Sequence, residues 1–365
     1  MAADVLSDRA LGRATLARQH LLERTALDPV AAVEQLVGLQ AQEPLDPYLA
    51  LWSRLDPFDP VELGSRLEDR TLVRIVVMRG TIHLVTAGDA LVLRPLMQPV
   101  LDAELARHGE FAPHLRDVDL APVLAFGHEL LAEQPRSTRA LRVAMAERFP
   151  DLHAPALAYA CRCLLPLVQV PPRGVWRRTL QVTVAPLDTW VGRALAERPV
   201  LDDVVLRYVA AFGPVAVADV ATWSRLTGLR AVVERLRPQL RAFRDERGRE
   251  LLDLPDAARP DPDTPAPVRV LPEYDNVLLS HADRSRFGND EDRKVLGAAG
   301  PYKGAVLVDG QVRAVWHFEG ATMVVEHAAL PRRSVADVEA EADRAVHFLR
   351  PDAADADVRL VAITR

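Results

Sequence analysis

Two glutamines one residue apart, Gln40 and Gln42, stand in the stretch VGLQAQEPLDP, where a helical pattern ends. A primary amide does not titrate near neutral pH, but it donates and accepts hydrogen bonds and can hold a water molecule. Gly38 weakens the end of the helix, and Glu43 precedes a proline, which favours extended backbone. Residues i and i+2 of an extended segment share one face. The sequence therefore predicts a paired-amide site, and the alternative is that the two amides cap the helix end.

The composition is that of an ordinary globular protein with several cores, because 365 residues are 49% hydrophobic and 26% charged. No apolar run fits a signal peptide or a membrane-spanning helix, so we expect a cytoplasmic protein. The formal net charge of −6 does not favour nucleic acid. A local basic patch is still predicted, since residues 154–187 contain no acidic residue.

Cys161 and Cys163 are too few for a disulfide framework, and their spacing within a helical pattern directs them to different faces. We expect two buried thiols. Zinc-type spacing, a His-Glu-x-x-His motif and a glycine-rich phosphate loop are all missing from the sequence. The sequence therefore predicts no metal and no cofactor.

Three segments share one order of parts, in which short amphipathic helices precede two β-prone runs joined at an Arg-Gly pair. The pairs are Arg79-Gly80, Arg173-Gly174 and Arg247-Gly248. Glycine tolerates the positive φ of a tight hairpin turn, so each pair is a predicted wing tip. Helices followed by a hairpin make a winged helix, a plan that also occurs by chance in α+β enzymes. The predicted units are residues 1–114, 115–198 and 199–258.

A proline-rich stretch, residues 256–267, reads as a linker. Beyond it, residues 268–365 predict a β-rich module with turns at Asp309-Gly310 and Glu319-Gly320 and one amphipathic helix. The fold class expected is thus α+β, with tandem winged helices and a C-terminal β-rich module.

Four stretches carry a resemblance that covers nearly the whole chain: GLQAQEPLDPYLALWSRL, VMRGTIHLVTAGDA, RYVAAFGPVAVADVATWSRLTGL and LPEYDNVLLSHADRSR. They resemble the winged-helix DNA-binding family that contains the AlkZ-like DNA glycosylases of actinobacteria. The resemblance implies a C-shaped array that cleaves the N-glycosidic bond of bulky N7-alkylguanines, including interstrand crosslinks made by antibiotics. It also implies catalysis at a Gln-apolar-Gln motif, which Gln40-Ala41-Gln42 matches; a second branch has Gln-apolar-Asp, which this chain lacks.

Neutral amides suit such a substrate, although glycoside hydrolysis usually needs two carboxyl groups. An N7-alkylated guanine already carries positive charge and leaves as a neutral base without a general acid. What remains is to position water and stabilise an oxocarbenium-like sugar. We expect Gln40 and Gln42 to do this, with Glu43 or Asp46 as a nearby base. Strand cleavage needs an amine; because Lys294 and Lys303 are far in sequence from Gln40, the sequence predicts a monofunctional enzyme.

Candidate contacts to double-stranded DNA lie on the predicted wings and on one loop. Each candidate also has an ordinary structural explanation that does not involve DNA: a solvated arginine, a core tryptophan or a structural histidine. The candidates are Arg79, His83, Arg173, Trp176, Arg177, Arg178, Arg284 and Arg286.

Two other functions compete with the glycosylase. A non-catalytic winged-helix regulator would bind DNA without releasing a base, and such proteins commonly dimerise, whereas a tandem array within one chain is expected to act as a monomer. A resistance protein that sequesters a polycyclic antibiotic would bind the drug without DNA. The aromatic content of 5% disfavours the stacking pocket that such a drug needs.

Overall fold

The protein is described here by a computed structural model that covers residues 4–178, 180–298, 303–328 and 330–363. Helices and sheets both recur along the chain, so the predicted α+β class is confirmed. Among these residues no helix is long and apolar enough to cross a membrane.

The helices and strands follow in chain order. The α-helices are α1 (Asp8–Arg18), α2 (Pro29–Gln35), α3 (Asp46–Trp52), α4 (Pro60–Glu68), α5 (Ala87–Leu96), α6 (Gln98–Arg107), α7 (Ala121–Glu133), α8 (Thr138–Arg148), α9 (Ala154–Leu164), α10 (Leu187–Val191), α11 (Leu201–Phe212), α12 (Val217–Ser224), α13 (Leu229–Leu236), α14 (Asn276–Leu279), α15 (Asp290–Ala298) and α16 (Val335–Leu349). The strands are β1 (Val5–Leu6), β2 (Leu39–Gln40), β3 (Leu72–Val76), β4 (Ile82–Thr86), β5 (Arg136–Ser137), β6 (Leu167–Gln169), β7 (Thr183–Pro186), β8 (Arg241–Asp245), β9 (Glu250–Asp253), β10 (Arg269–Leu271), β11 (Gly304–Val308), β12 (Gln311–Glu319), β13 (Thr322–His327) and β14 (Asp357–Ala362).

A six-stranded sheet with the order β2-β4-β3-β6-β7-β5 carries the paired-glutamine segment on its edge strand. Strands β3 and β4 form the hairpin predicted around Arg79-Gly80, where both residues have positive φ, 60° and 71°. Strands β6 and β7 pair antiparallel, and β3 pairs with β6. Apart from β1, the β-strands of the first two predicted units therefore belong to one continuous sheet.

The prediction that Arg173-Gly174 closes a tight hairpin turn is wrong. Strand β6 ends at Gln169 and β7 begins only at Thr183, so Gly174 lies in a long connection between them and not in a tight turn. The guanidinium of Arg74 fills the space beside Gly174, at 2.5 Å from the place where a Cβ would stand. Glycine is needed there because a buried side chain approaches the backbone closely, and its φ is also positive at 88°.

The third predicted hairpin is confirmed, since β8 and β9 pair antiparallel around Arg247-Gly248. Strand β1 adds to β8 in parallel. Beyond residue 268, five strands form a sheet with the order β10-β11-β12-β13-β14, and the turns at Asp309-Gly310 and Glu319-Gly320 are those predicted.

Residues 268–280, at the start of the predicted β-rich module, form only a short strand and then a short helix. Strand β10 stops at Leu271, and Asp275 caps the short helix α14 by accepting a hydrogen bond from the Val277 amide at 3.1 Å. The cap gives these backbone groups a local partner that competes with a strand ladder.

Apolar packing crosses the predicted unit boundaries. The largest core cluster joins residues between Val37 and Met97 to residues 168–187 and 204–252. The division into units, and their identity as winged helices, stay predictions. Cys161 and Cys163 are buried free thiols in two different clusters, as expected.

The predicted linker is held against α1. Arg9 donates to the Pro262 carbonyl at 2.7 Å, and Arg13 donates to the Thr264 carbonyl at 2.6 Å. Residues 256–267 therefore pack as part of the fold, although they carry no helix or strand.

Candidate active site

The glutamine segment is redirected from helix to strand by two left-handed residues. Helix α2 ends at Gln35, and Val37 and Gly38 then take φ of 55° and 89°. The Gly38 amide donates back to the Val33 carbonyl at 2.9 Å, and Asn276 Nδ2 donates to the Gly38 carbonyl at 2.8 Å. Hydrogen bonds to both its amide and its carbonyl therefore fix the Gly38 backbone just before β2 begins.

Gln40 is a buried residue whose side-chain oxygen is held by an arginine. Its backbone pairs with His83 on β4. Arg79 Nη2 donates to Gln40 Oε1 at 2.7 Å. The side chain is 6% exposed, so its conformation is set by packing and by this hydrogen bond rather than by solvent.

Arg79, the wing-tip residue expected to contact DNA, is half-buried. Its side chain turns inward, where Nη1 donates to the Trp223 carbonyl at 3.0 Å and Nη2 also approaches His83 Nε2 at 3.1 Å. Burial first, and then the charge of Arg225, lower the pKa of Arg79 to about 10. The guanidinium remains charged at neutral pH and joins β2, β4 and the end of α12.

His83 is enclosed, 1% exposed, which contradicts its expected contact with DNA. Its Nδ1 lies 3.0 Å from the Thr81 carbonyl, so Nδ1 carries the proton and Nε2 accepts from Arg79. Burial first, and then the charge of Arg79, lower the pKa of His83 to about 3. His83 is therefore a neutral structural group next to Gln40.

Gln42 is exposed and lies beside the same hairpin. The Ala41 amide donates to the Ile82 carbonyl at 2.8 Å, but the Ala41 carbonyl accepts from the buried Arg74 at 2.7 Å instead of from the strand. The Ile82 amide approaches Gln42 Oε1 at 3.5 Å. Both glutamines thus use their side-chain oxygens on the β3–β4 hairpin, and no hydrogen bond joins their amides to each other within the described chain.

Asp46, one of the two candidate bases, has an unusual environment at the start of α3. Its Oδ2 is inaccessible and finds no hydrogen-bond partner among the described residues. Burial first, and then the charges of Glu273 and Glu43, raise the pKa of Asp46 to about 8 against the opposing effect of a hydrogen bond from the Tyr274 backbone. A carboxyl group with a pKa near the working pH is suited to proton transfer.

Three arginines distant in sequence come together near Gln40. Arg225, the exposed residue that ends α12, and the exposed Arg284 both lie close enough to Arg79 for their charges to lower its pKa. A groove of about 640 Å³ runs beside Arg225 and is also lined by Arg107. Glu104 also lines the groove, and the two arginines are the groups there that suit phosphate. Arg225 directly follows a helical pattern, but nothing in that pattern distinguishes it from the other arginines of the sequence.

An apolar cavity of about 360 Å³ lies next to the carboxyl groups. Residues of β11, β12, α14 and α15 contribute to its wall, and charged or polar groups stand at its edge. The lining includes Glu273, Tyr274, Leu278, Arg284, Phe287, Lys303 and Val312. Lys303 lines the same cavity as Glu273, and its amine forms an ion pair with Glu326.

The remaining DNA candidates are dispersed. Arg286 is buried, 3% exposed, and donates to Thr15 Oγ1 and the Pro214 carbonyl, so it supports the fold and does not lie on a solvated loop. Trp176 is half-buried and stacks against Phe348 at a centroid distance of 5.0 Å, which is the core alternative.

The three candidate arginines of the second unit lie at or near the surface. Arg177 pairs with Asp352, and Arg178 pairs with Glu68 at 2.7 Å. The half-buried Arg173 donates to the Leu180 carbonyl at 3.4 Å. Arg177 and Arg178 are accessible to DNA, and their roles stay predictions.

Comparison with known proteins shows which family the chain belongs to. The model of the family described as DNA glycosylase AlkZ-like matches residues 33–348. The chain belongs to the AlkZ-like DNA glycosylase family. It is thus an enzyme that acts on DNA, and the alternative of a non-catalytic regulator is set aside.

A solved structure agrees with this fold. The Streptomyces sahachiroi DNA glycosylase AlkZ superposes with a TM-score of 0.77 at 22% identity, over 98% of this chain and 100% of that chain. A search of curated proteins finds no match.

Proposed function

We propose that this DNA glycosylase hydrolyses the N-glycosidic bond of bulky N7-alkylguanines, including guanines joined in interstrand crosslinks, in DNA repair or in self-resistance to a genotoxic antibiotic. The observation that carries the proposal is the pair of neutral amides, Gln40 and Gln42, at the hairpin where three arginines meet. A leaving group that is already cationic needs no strong acid beside it, and donors positioned in advance can stabilise the transition state.

The surroundings of the amides support a bulky lesion on duplex DNA. Arg225 and Arg284 offer positive charge on the surface next to Gln40, and the apolar cavity beside Glu273 can receive an aliphatic or aromatic substituent. We propose that one chain suffices for binding, so that the enzyme acts as a monomer.

The enzyme is proposed to be monofunctional. Lys303 is the lysine that lines the cavity, but its amine forms an ion pair with Glu326, and an ammonium group is not a nucleophile. The product expected is a free alkylguanine and an abasic site on an intact strand.

The test is release of the base from duplexes that carry an N7-alkylguanine, a neutral bulky adduct or no lesion. We expect release from the cationic lesion alone. Gln40→Ala and Gln42→Ala should each slow release by about 100- to 1,000-fold, the usual cost of losing one positioned donor. Gln134→Ala, which changes an exposed glutamine at the end of α7, is the matched control. Wild-type rates in the Gln40→Ala/Gln42→Ala double variant would end the proposal.

A further inference from the structure

The orientation of the Gln40 amide follows from the chemistry of its partner. A guanidinium group only donates hydrogen bonds, so the Gln40 atom that lies 2.7 Å from Arg79 Nη2 must be the oxygen. The opposite orientation would place two sets of N–H donors against each other. The amide nitrogen of Gln40 must therefore point away from Arg79.

Arg79 is itself held firmly. Its backbone has a φ of 60°, which a residue other than glycine adopts only when the surrounding structure imposes it. Its guanidinium meets Gln40, His83 and the Trp223 carbonyl at 2.7, 3.1 and 3.0 Å. These partners come from a strand, its neighbour and the C-terminal end of a helix, where a cation is favoured.

The nitrogen of Gln40 is not enclosed. Among the described residues Gln40 Nε2 has no hydrogen-bond partner. It is not one of the fully buried polar atoms that lack a partner, so part of this nitrogen is accessible to solvent. The exposed Arg225 and Arg284 lie close enough to Arg79, the partner of Gln40, for their charges to act on it. The group that Gln40 shows to bound DNA is thus an NH₂.

We infer that Arg79 is a positioning residue that fixes the Gln40 amide with its oxygen inward, so that Gln40 serves the reaction as a hydrogen-bond donor. Its partner in the complex is an acceptor atom, such as a guanine carbonyl or the oxygen of the attacking water. Gln40 then takes no proton from that water, which leaves this task to a carboxylate. The inference rests on the proposed catalytic role of Gln40.

The competing role for Arg79 is the contact with phosphate that its wing position suggested. The two roles differ in what they change. A phosphate contact contributes to affinity for any duplex and to its salt dependence. A positioning residue changes the rate of the chemical step while affinity for undamaged DNA stays the same.

The experiment compares Arg79→Met, Gln40→Ala and their double variant by single-turnover base release and by the dissociation constant for undamaged duplex at several salt concentrations. We expect Arg79→Met to slow release by about 100-fold, the scale of a 1 Å misplacement. Its dissociation constant should stay within about twofold of wild type, and the double variant should be no slower than Gln40→Ala, because the two residues act as one unit. Arg344→Met removes an exposed cation on α16 and is the matched control.

A weaker dissociation constant for Arg79→Met, a salt slope lowered by about one and rate losses that add to those of Gln40→Ala would overturn the inference. Gln40→Glu keeps the oxygen that accepts from Arg79 but replaces the NH₂, so it tests the donor role even if Arg79→Met fails to fold. We expect Gln40→Glu to release base as slowly as Gln40→Ala, and wild-type rates would refute the donor role. Should Gln40→Ala itself be fully active, the proposed function fails first; should only Arg79→Met be active, the inference alone fails.

Discussion

Asp46→Asn is expected to lower activity and raise stability at the same time. The buried Oδ2 of Asp46 has no partner, and burial, Glu273 and Glu43 raise its pKa to about 8. If the Asp46 carboxylate accepts the proton of the attacking water, only the ionised form is active. Roughly one-tenth of the molecules carry this form at pH 7 and nine-tenths at pH 9, by the ordinary titration relation. Wild-type release should therefore rise about tenfold over this interval.

The asparagine variant removes that titration. Its release rate should fall by about 100-fold or more at pH 9, in the usual range for loss of a general base, and should no longer change with pH. Glu43→Gln, which alters an exposed carboxylate next to Gln42, distinguishes the two candidate bases. It should keep the rise, with its midpoint moved to lower pH because one repelling charge is gone.

Stability should move in the opposite direction. A raised pKa in the folded state means that the contribution of Asp46 is fully present below the pKa of the unfolded chain and is lost as pH rises through about 8. Asp46→Asn stays neutral, so its urea midpoint should exceed that of wild type by more at pH 9 than at pH 6. A variant with wild-type release at pH 9 and an unchanged pH profile would refute the assignment of Asp46 as the base.

Three further predictions concern the fold and the reaction type. His83 should make wild-type stability fall by up to about 1.4 kcal/mol per pH unit as the pH decreases from 6.5 to 4, because the unfolded imidazole binds a proton in this range and the folded one, with a pKa of about 3, does not. Urea titrations of His83→Gln should show a smaller change of unfolding free energy with pH. An equal change in the variant and the wild type would contradict the buried neutral state. Arg54→Met leaves the enclosed Asp275 carboxylate without its partner at 2.8 Å and should cost about 3–5 kcal/mol of unfolding free energy, part of which Arg54→Met/Asp275→Asn regains; a loss below 1 kcal/mol, in the ~0–1 kcal/mol range of surface pairs, would mean that the pair is solvated. Borohydride treatment during turnover should trap no covalent DNA adduct, and an adduct lost in Lys303→Ala would show that this amine attacks the sugar.

Local features of the chain were predictable from the sequence, and contacts between distant segments were not. The turns at Arg79-Gly80 and Asp309-Gly310 follow from the backbone freedom of glycine, which a short stretch reveals. The pairing of β3 with β6 joins residues nearly 100 positions apart, and no sequence pattern in either strand predicts this pairing. The same difference explains why the β-strands of separate predicted units share one sheet.

The site shows this limit most clearly at Asp46 and Arg79. Glu43 and Asp46 were candidate bases because they stand near the glutamines, but the raised pKa of Asp46 depends on Glu273, which a short sequence stretch does not connect to it. Arg79 occupies a hairpin turn, where arginines are ordinarily solvated, and only the end of α12 and the edge strand give it inward partners. Arg286 was misplaced for the same reason, since its partners Thr15 and Pro214 lie outside its own loop.

The central claim is that two uncharged amides on one hairpin suffice, with a nearby base, to release a cationic guanine. Single-turnover release of an N7-alkylguanine by wild type, by Gln134→Ala and by Gln40→Ala/Gln42→Ala tests it most directly, with thermal unfolding as the check on folding. We predict wild-type release for Gln134→Ala, and release at the spontaneous rate for a folded double variant that still binds DNA. Release at the wild-type rate by that folded double variant would contradict the claim.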